Sequence, residues 1–341
     1  MYKKFFMGIA AMAALTLVSC SSDDLNSLSD NSSKNEAISF DGYLGRSAVA
    51  VNGSRGSEVD LPALQGENGG FGVFGNYNST GGQEFVANLF NNQLVTYSST
   101  ELKWKYSPLK YWPTDGHVDF LAYAPRVDNK QLTGSSIGFT VEGDAANQKD
   151  LLWANADDRT KEKGKVTFKF NHALSRLGYT VKLNGAYSDV TIKLNKITLA
   201  GSNDGKGTNK AFYKEGSIDL YTGAWKTSTS DEKQDFEWFT NTDGTQLTTK
   251  VTDNADNYLF VIPQNFSAPA TDKLYVIVEY TITYSDNTTV KTKVCKQLEK
   301  EFLQGKAYTI NLTIGLTPID FDADVTPWDP TTGTPIDASW N

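Results

Sequence analysis

Apolar residues recur at every second position along most of this chain. Val166, Phe168 and Phe170 are separated by Thr167 and Lys169; Tyr179, Val181 and Leu183 repeat the spacing, and so do Val190, Ile192 and Leu194. Alternation of this kind sends one row of side chains into a core and the other into water, as a half-buried strand requires. The longest run, Leu274, Val276, Val278, Tyr280, Ile282 and Tyr284, leads into Ser285-Asp286-Asn287 and a return over 290–294, which predicts a hairpin. Tyr308, Ile310, Leu312 and Ile314 give one more strand, and Ile319, Phe321, Ala323 and Val325 another. In the first half, residues 71–74, 104–106, 111–112, 118–123 and 137–141 are shorter strands between turns rich in Gly, Pro and Asn. No helix-period segment exceeds about ten residues, the best being 171–177. The fold class expected is all-β, as β-sandwiches. Strand spacing divides the body near residue 172, giving an N-terminal sandwich over 37–171, a C-terminal one over 172–329 and a tail over 330–341.

The first 36 residues follow a different pattern. Lys3 and Lys4 precede an apolar stretch of fourteen residues, Phe5 to Val18. A helix needs about twenty residues to cross a bilayer, so this stretch reads as a secretory signal. Its end, Leu17-Val18-Ser19-Cys20, is similar to the bacterial lipobox. That resemblance implies removal of 1–19, acylation of Cys20 and attachment to the outer membrane through lipid, with more than one acyl chain making the anchor stable. Residues 20–36 are rich in Ser, Asp and Asn and read as a disordered tether. Ser21-Ser22-Asp23-Asp24 resembles the acidic export tag of surface-exposed lipoproteins.

Composition narrows the function by exclusion. With Lys plus Arg at 32 against 40 for Asp plus Glu, the formal charge of −8 argues against nucleic acid as a partner. Two His and two Cys in 341 residues leave no means of building a multi-ligand His or Cys metal site, and no cofactor motif is present. With Cys20 acylated, Cys295 is the sole thiol of the mature fold and is expected to be a small packed side chain on its strand.

Catalytic patterns dissolve on inspection. Gly134-Ser135-Ser136-Ile137-Gly138 matches the nucleophile-elbow spacing, but Phe139-Thr140-Val141 after it reads as strand where a helix is needed. Gly201 to Gly207 resembles a phosphate loop, yet holds three residues instead of four between Gly201 and Gly205, and Gly207 stands where a Ser or Thr should meet magnesium. Asp320, Asp322 and Asp324 resemble a calcium loop without its glycine and read as a solvated strand face. His117 and His172 have no partner identifiable from sequence. Asp157-Asp158 and Glu299 with Glu301 read as surface pairs. Trp225 and Trp238 are candidates for stacking on sugar rings.

Taken in order, several motifs resemble those of the fimbrillins: the lipobox and tether, Ile38-Ser39-Phe40 with Arg46, Phe71-Gly72-Val73-Phe74-Gly75, Tyr111-Trp112-Pro113, Val118 to Pro125, Asp150 to Ala154, Val166 to Leu177, and Gly305 to Leu312 running on to Pro327-Trp328. The resemblance covers nearly all of the chain after Cys20. It implies two transthyretin-like β-sandwiches in tandem, export as a lipoprotein, trimming after an Arg, and polymerisation with other fimbrial subunits at the cell surface in support of adhesion, without enzymatic activity. On this reading Arg46 is the processing site, with Arg55 in Gly53-Ser54-Arg55-Gly56 as the second candidate. Ile38 and Phe40 belong to the displaced first strand. The donor strand is Ile319, Phe321, Ala323 and Val325, or else Ile336 to Trp340; if neither serves, the subunit is a tip or anchor. Pro330 and Pro335 count against the tail, since Pro removes ladder hydrogen bonds. The alternative is a surface glycan-binding lipoprotein, in which a host or other glycan is the ligand and no trimming occurs. A secreted β-sandwich hydrolase would need a carboxylate pair flanking a cleft, and none stands out.

Overall fold

The computed structural model describes residues 36–44, 59–79, 84–227, 232–253, 257–316 and 320–327. The leader, Cys20, the tether over 21–35, Arg46, Arg55, Ile319 and the tail over 330–341 lie outside the described residues.

The first half contributes β1 (Phe40–Leu44), β2 (Phe71–Asn78), β3 (Phe90–Ser98), β4 (Lys103–Lys105), β5 (His117–Ala124), β6 (Ser136–Thr140), β7 (Leu152–Arg159) and β8 (Val166–His172). One short helix, α1 (Leu61–Gln65), precedes β2; Asp60 caps it by accepting from the Ala63 amide at 2.7 Å. Seven of these strands form one sheet in the order β1-β8-β7-β5-β2-β3-β4. The β1–β8 pair is parallel and every other neighbouring pair antiparallel. The sheet curls until its two end strands, β1 and β4, come together. Enclosed are Ile38, Phe40, Phe71, Val73, Phe90, Phe120, Phe168 and Phe170. Along β8 the predicted alternation holds, with Val166, Phe168 and Phe170 buried and Thr167 and Lys169 exposed.

Two residues separate β8 from the first strand of the second half. It contains β9 (Ser175–Leu183), β10 (Val190–Ala200), β11 (Phe212–Tyr213), β12 (Glu215–Asp219), β13 (Trp225–Lys226), β14 (Lys233–Gln234), β15 (Phe236–Gln246), β16 (Thr252–Asp253), β17 (Leu259–Val261), β18 (Gln264–Asn265), β19 (Tyr275–Tyr284), β20 (Thr289–Gln297), β21 (Glu301–Phe302), β22 (Lys306–Ile314) and β23 (Asp320–Pro327). Two sheets face each other. One runs β15-β10-β19-β20; the other has β9 at its centre, with β16 and β17 on one side, and β22 then β23 on the other. Tyr179 of β9 and Trp238 of β15 meet edge to face at 5.0 Å across the gap. As in the first half, the first strand lies parallel to a late one, here β9 to β22.

The halves share material. Phe120 and Ala122 of β5 face the first core, whereas Leu121 and Tyr123 of the same strand join the second. With both faces covered, β5 is buried on consecutive residues instead of alternate ones. A ribbon of β6, β12 and β13 bridges the halves, Ile137 facing Ile218. The described residues from Glu36 on form one compact unit.

The predicted hairpin over 274–294 is present as β19 and β20. Asn287 takes the left-handed φ of 67° in its turn, and Asp286 accepts from the Thr288 amide at 2.9 Å. Three expectations change. Residues 111–112 make an isolated bridge, Ala37 with Tyr111, and no strand. The helical spacing over 171–177 belongs to the end of β8 and the start of β9, because pairing to β7 and β22 outweighs a local period of two turns. Cys295 is exposed instead of packed. It faces Ile277 across the β19–β20 ladder on the outer side of the sheet, at its end strand.

Candidate functional site

The chain enters the described fold as a plug. Inward positions of the first segment are Ile38, Phe40 and Gly42, with Leu44 half-buried behind them; Ser39 and Tyr43 at the opposite parity are exposed. Ile38 is 1% and Phe40 3% exposed. The Phe40 ring lies 5.4 Å from Phe90, 5.3 Å from Tyr106, 5.5 Å from Phe120 and 5.8 Å from Phe168, centroid to centroid. It therefore joins β3, β5 and β8 at one point. At Gly42 the wall comes closest: a Cβ there would stand 3.2 Å from Phe71 Cε1 and 3.3 Å from Phe170 Cε2.

Backbone bonds fix the plug on both sides. Upstream, the Ile38 amide donates to the Lys110 carbonyl at 2.8 Å and the Trp112 amide to the Glu36 carbonyl at 3.0 Å. Tyr106 adds its hydroxyl to the Ile38 carbonyl at 2.7 Å. Downstream, β1 runs along β8 in the register Phe40 to Val166 through Leu44 to Phe170. The segment thus closes the curled sheet between β8 and residues 110–112. Burial of one Ile and one Phe side chain is worth about 3–6 kcal/mol together, so the plug is a firm part of this core. The resemblance to the fimbrillins singled out Ile38 and Phe40; the third inward place, Gly42, was missed because a glycine has no apolar signature.

β23, carrying the other predicted segment, ends its sheet in the order found among the described residues. It lies antiparallel to β22, with Ile310 facing Ala323 and Tyr308 facing Val325. Ala323 and Val325 are half-buried, and Val325 packs against the second core. Asp324, at the opposite parity, accepts from Asn311 Nδ2 at 2.7 Å. Among the described residues no group of three or more His, Cys, Asp or Glu is arranged to hold a metal ion.

The remaining candidates resolve into structural roles. Ser136 starts β6 and the chain continues as strand through Thr140. In the glycine loop, Asp204 Oδ1 accepts from Ser202 Oγ at 2.8 Å and from the amides of Lys206 at 2.9 Å and Gly207 at 3.1 Å. Those bonds, the Lys206 amide foremost, hold the Asp204 carboxyl below its ordinary range, and the Lys206 and Gly207 amides that a phosphate would need are already satisfied. Trp238 is buried and donates from Nε1 to the Asn257 carbonyl at 2.8 Å; Trp225 is half-buried and donates to the Ala173 carbonyl at 2.7 Å. Trp238 therefore has no open ring face, while Trp225 is tied down at its indole edge and stays half-buried. Both His find acids that sequence did not reveal. His117 Nε2 stands 3.5 Å from Asp119, and His172 Nδ1 is 2.6 Å from the fully buried Asp150, whose carboxylate also accepts from the Leu151 amide at 2.8 Å. Asp157 is no simple surface acid: burial, with the Asp119 charge second, pushes its carboxyl up.

Known proteins share this architecture. A candidate cell adhesion protein from Bacteroides uniformis superposes with a TM-score of 0.50 at 17% identity, covering 86% of this chain and 98% of its own. Another from Bacteroides ovatus gives 0.50 at 16% identity, with 86% and 98% covered. At these identities the likeness is one of fold. No curated protein matches the chain in sequence. The family model described as fimbrillin-like matches residues 64–328, which begins after β1 and takes in strands of both cores. A match over most of the chain, on an all-β body of this kind, establishes that the protein belongs to the fimbrillin-like family.

Proposed function

We propose that the protein is a structural subunit of a cell-surface fimbria, built as two transthyretin-like sandwiches divided near residue 172. It reaches the outer membrane as a lipoprotein acylated at Cys20, is trimmed after Arg46 or Arg55, and joins its neighbours by donor-strand exchange in support of adhesion. The observation that carries this reading is the placement of β1. It is the first strand of the chain to be described, it plugs the core through Ile38 and Phe40, and both candidate arginines follow it within residues 45–58. Cutting there separates β1 covalently from everything it packs against. Its departure vacates a slot lined by Phe90, Tyr106, Phe120 and Phe168, with the β8 backbone left unpaired along 166–170. Such an edge templates another strand. Main-chain bonds then supply affinity, and alternate side chains entering the pockets set the register. The chemistry is assembly; no catalytic step is assigned.

Mass spectrometry of protein recovered from the cell surface tests the reading. A mature N-terminus at Ser47 or Gly56 is expected. Recovery of the acylated Cys20 form alone, in cells that carry fibres containing the protein, would overturn it.

A further inference from the structure

We infer that the outer face of the ribbon made by β6, β12 and β13 is a binding site for a carboxylate-bearing saccharide. A groove of about 580 Å³ lies there, lined among others by Lys130, Gly138, Thr140, Glu215, Ser217 and Lys226. The register builds it. Ile137, Ile218 and Trp225 form one row across the three strands, and Ile137 and Ile218 are buried in the second core. The next row, Gly138, Ser217 and Lys226, therefore faces the opposite way, as the strand period of two requires. Thr140 and Glu215, paired two residues along, extend that outer face. The groove shares no residue with the slot of β1 and is independent of donor-strand exchange.

Nothing in the fold requires Gly138 to be glycine. It stands inside β6, where glycine weakens a strand, its φ is not left-handed, and a Cβ there would meet nothing within 4 Å. Gly216 on the neighbouring strand differs: Trp225 Cε3 stands 3.2 Å from where its Cβ would be, so packing explains that glycine. A strand glycine with open space above it leaves room for a group from outside to approach the backbone. The charges at the groove are also available. Among the described residues Lys226 and Glu215 have no hydrogen bond or ion pair. Lys130 donates from Nζ to the Gly138 carbonyl at 2.8 Å, which sets its ammonium at the β6 side without a carboxylate partner. In a chain of net charge −8, two such lysines beside one carboxylate make a local positive excess that favours an anion.

The outward residues suit a sugar better than a peptide. Ser217 and Thr140 carry hydroxyls that both donate and accept, Glu215 accepts from ring hydroxyls, and no outward side chain is apolar, so none forms a pocket for a peptide side chain. From β6, where Lys130 is held, to Lys226 on β13 is two strand spacings, about 10 Å, the span of two sugar rings. A disaccharide of uronic acids brings one carboxylate to each ammonium in charge-assisted bonds and lays its hydroxyls over Gly138 and Ser217 between them.

The test titrates the full chain in a calorimeter with three probes: digalacturonic acid, its neutral counterpart digalactose, and hexaglutamate. Digalacturonic acid is expected to bind, less tightly as salt is raised, with digalactose at least tenfold weaker and hexaglutamate not bound. Failure of digalacturonic acid to bind overturns the site. Equal binding of the two sugars overturns the need for a carboxylate, and hexaglutamate binding as tightly as digalacturonic acid overturns the saccharide in favour of an acidic peptide. Two variants fix the place. Gly138→Leu is expected to keep its Tm, because the new side chain enters open space, and to bind digalacturonic acid at least tenfold more weakly by filling the groove. Lys226→Gln, at an exposed position, is expected to bind severalfold more weakly with a flatter salt dependence. Undiminished binding by either variant puts the sugar elsewhere and overturns the assignment; should Gly138→Leu fail to fold, Lys226→Gln decides alone.

Discussion

Phe40 shows how one side chain can be essential at one stage and absent at the next. In the full chain it meets four aromatic rings, so Phe40→Ala is expected to cost about 3–5 kcal/mol in urea unfolding. After cleavage and loss of β1 the same substitution should leave the stability of the remaining body unchanged, which a second unfolding curve checks. Asp157 gives a prediction of opposite sign. Its carboxyl is raised in the folded state, first by burial and then by Asp119, so its ionised form opposes folding above the folded pKa and is neutral in effect below the unfolded one. Asp157→Asn should therefore raise Tm at pH 7, with the gain shrinking as pH falls through the raised folded pKa and gone below the ordinary carboxylate value. Neither effect was legible in sequence. Asp157 beside Asp158 reads as a surface pair until the fold brings Asp119 alongside.

At the scale of elements, alternation located most of the long strands because each has one face in a core and one in water. It failed where that condition fails. β5 is buried on both faces and reads as a plain apolar run, and β15 pairs with β10 through two register shifts that break the period. β1 was legible through Ile38 and Phe40, yet its third contact required the geometry of Phe71 and Phe170. The constraint is testable in the full chain: Gly42→Ala should be close to neutral, whereas Gly42→Leu should cost about 1–3 kcal/mol by overpacking against those rings, read from urea midpoints. Equal effects of the two would mean the rings stand further off than described.

For the whole molecule, the two cores share β2 and β5, and the β6–β12 ribbon spans the halves. Calorimetry of the full chain should accordingly give one unfolding transition instead of two, since neither core can open without stripping a face from the other. Asp150 and His172, a pair 2.6 Å apart at the end of β8, sit where the halves join. Asp150→Ala is expected to lower that single transition by more than an exposed Asp→Ala does, because it removes the buried carboxylate that a mostly buried imidazole meets and that accepts from the Leu151 and Val59 amides. Sequence alone determined the all-β class, since a period of two is a local property, and the resemblance of its motifs to those of the fimbrillins singled out Ile38 and Phe40. Tertiary structure decided what β1 plugs, why only glycine or alanine suits its third inward place, that Trp225 and Trp238 are tied into the fold, and that Asp324 is tethered to Asn311. Each of these depends on residues that meet across tens to hundreds of positions, and a periodicity read along one strand carries no information about what lies opposite it.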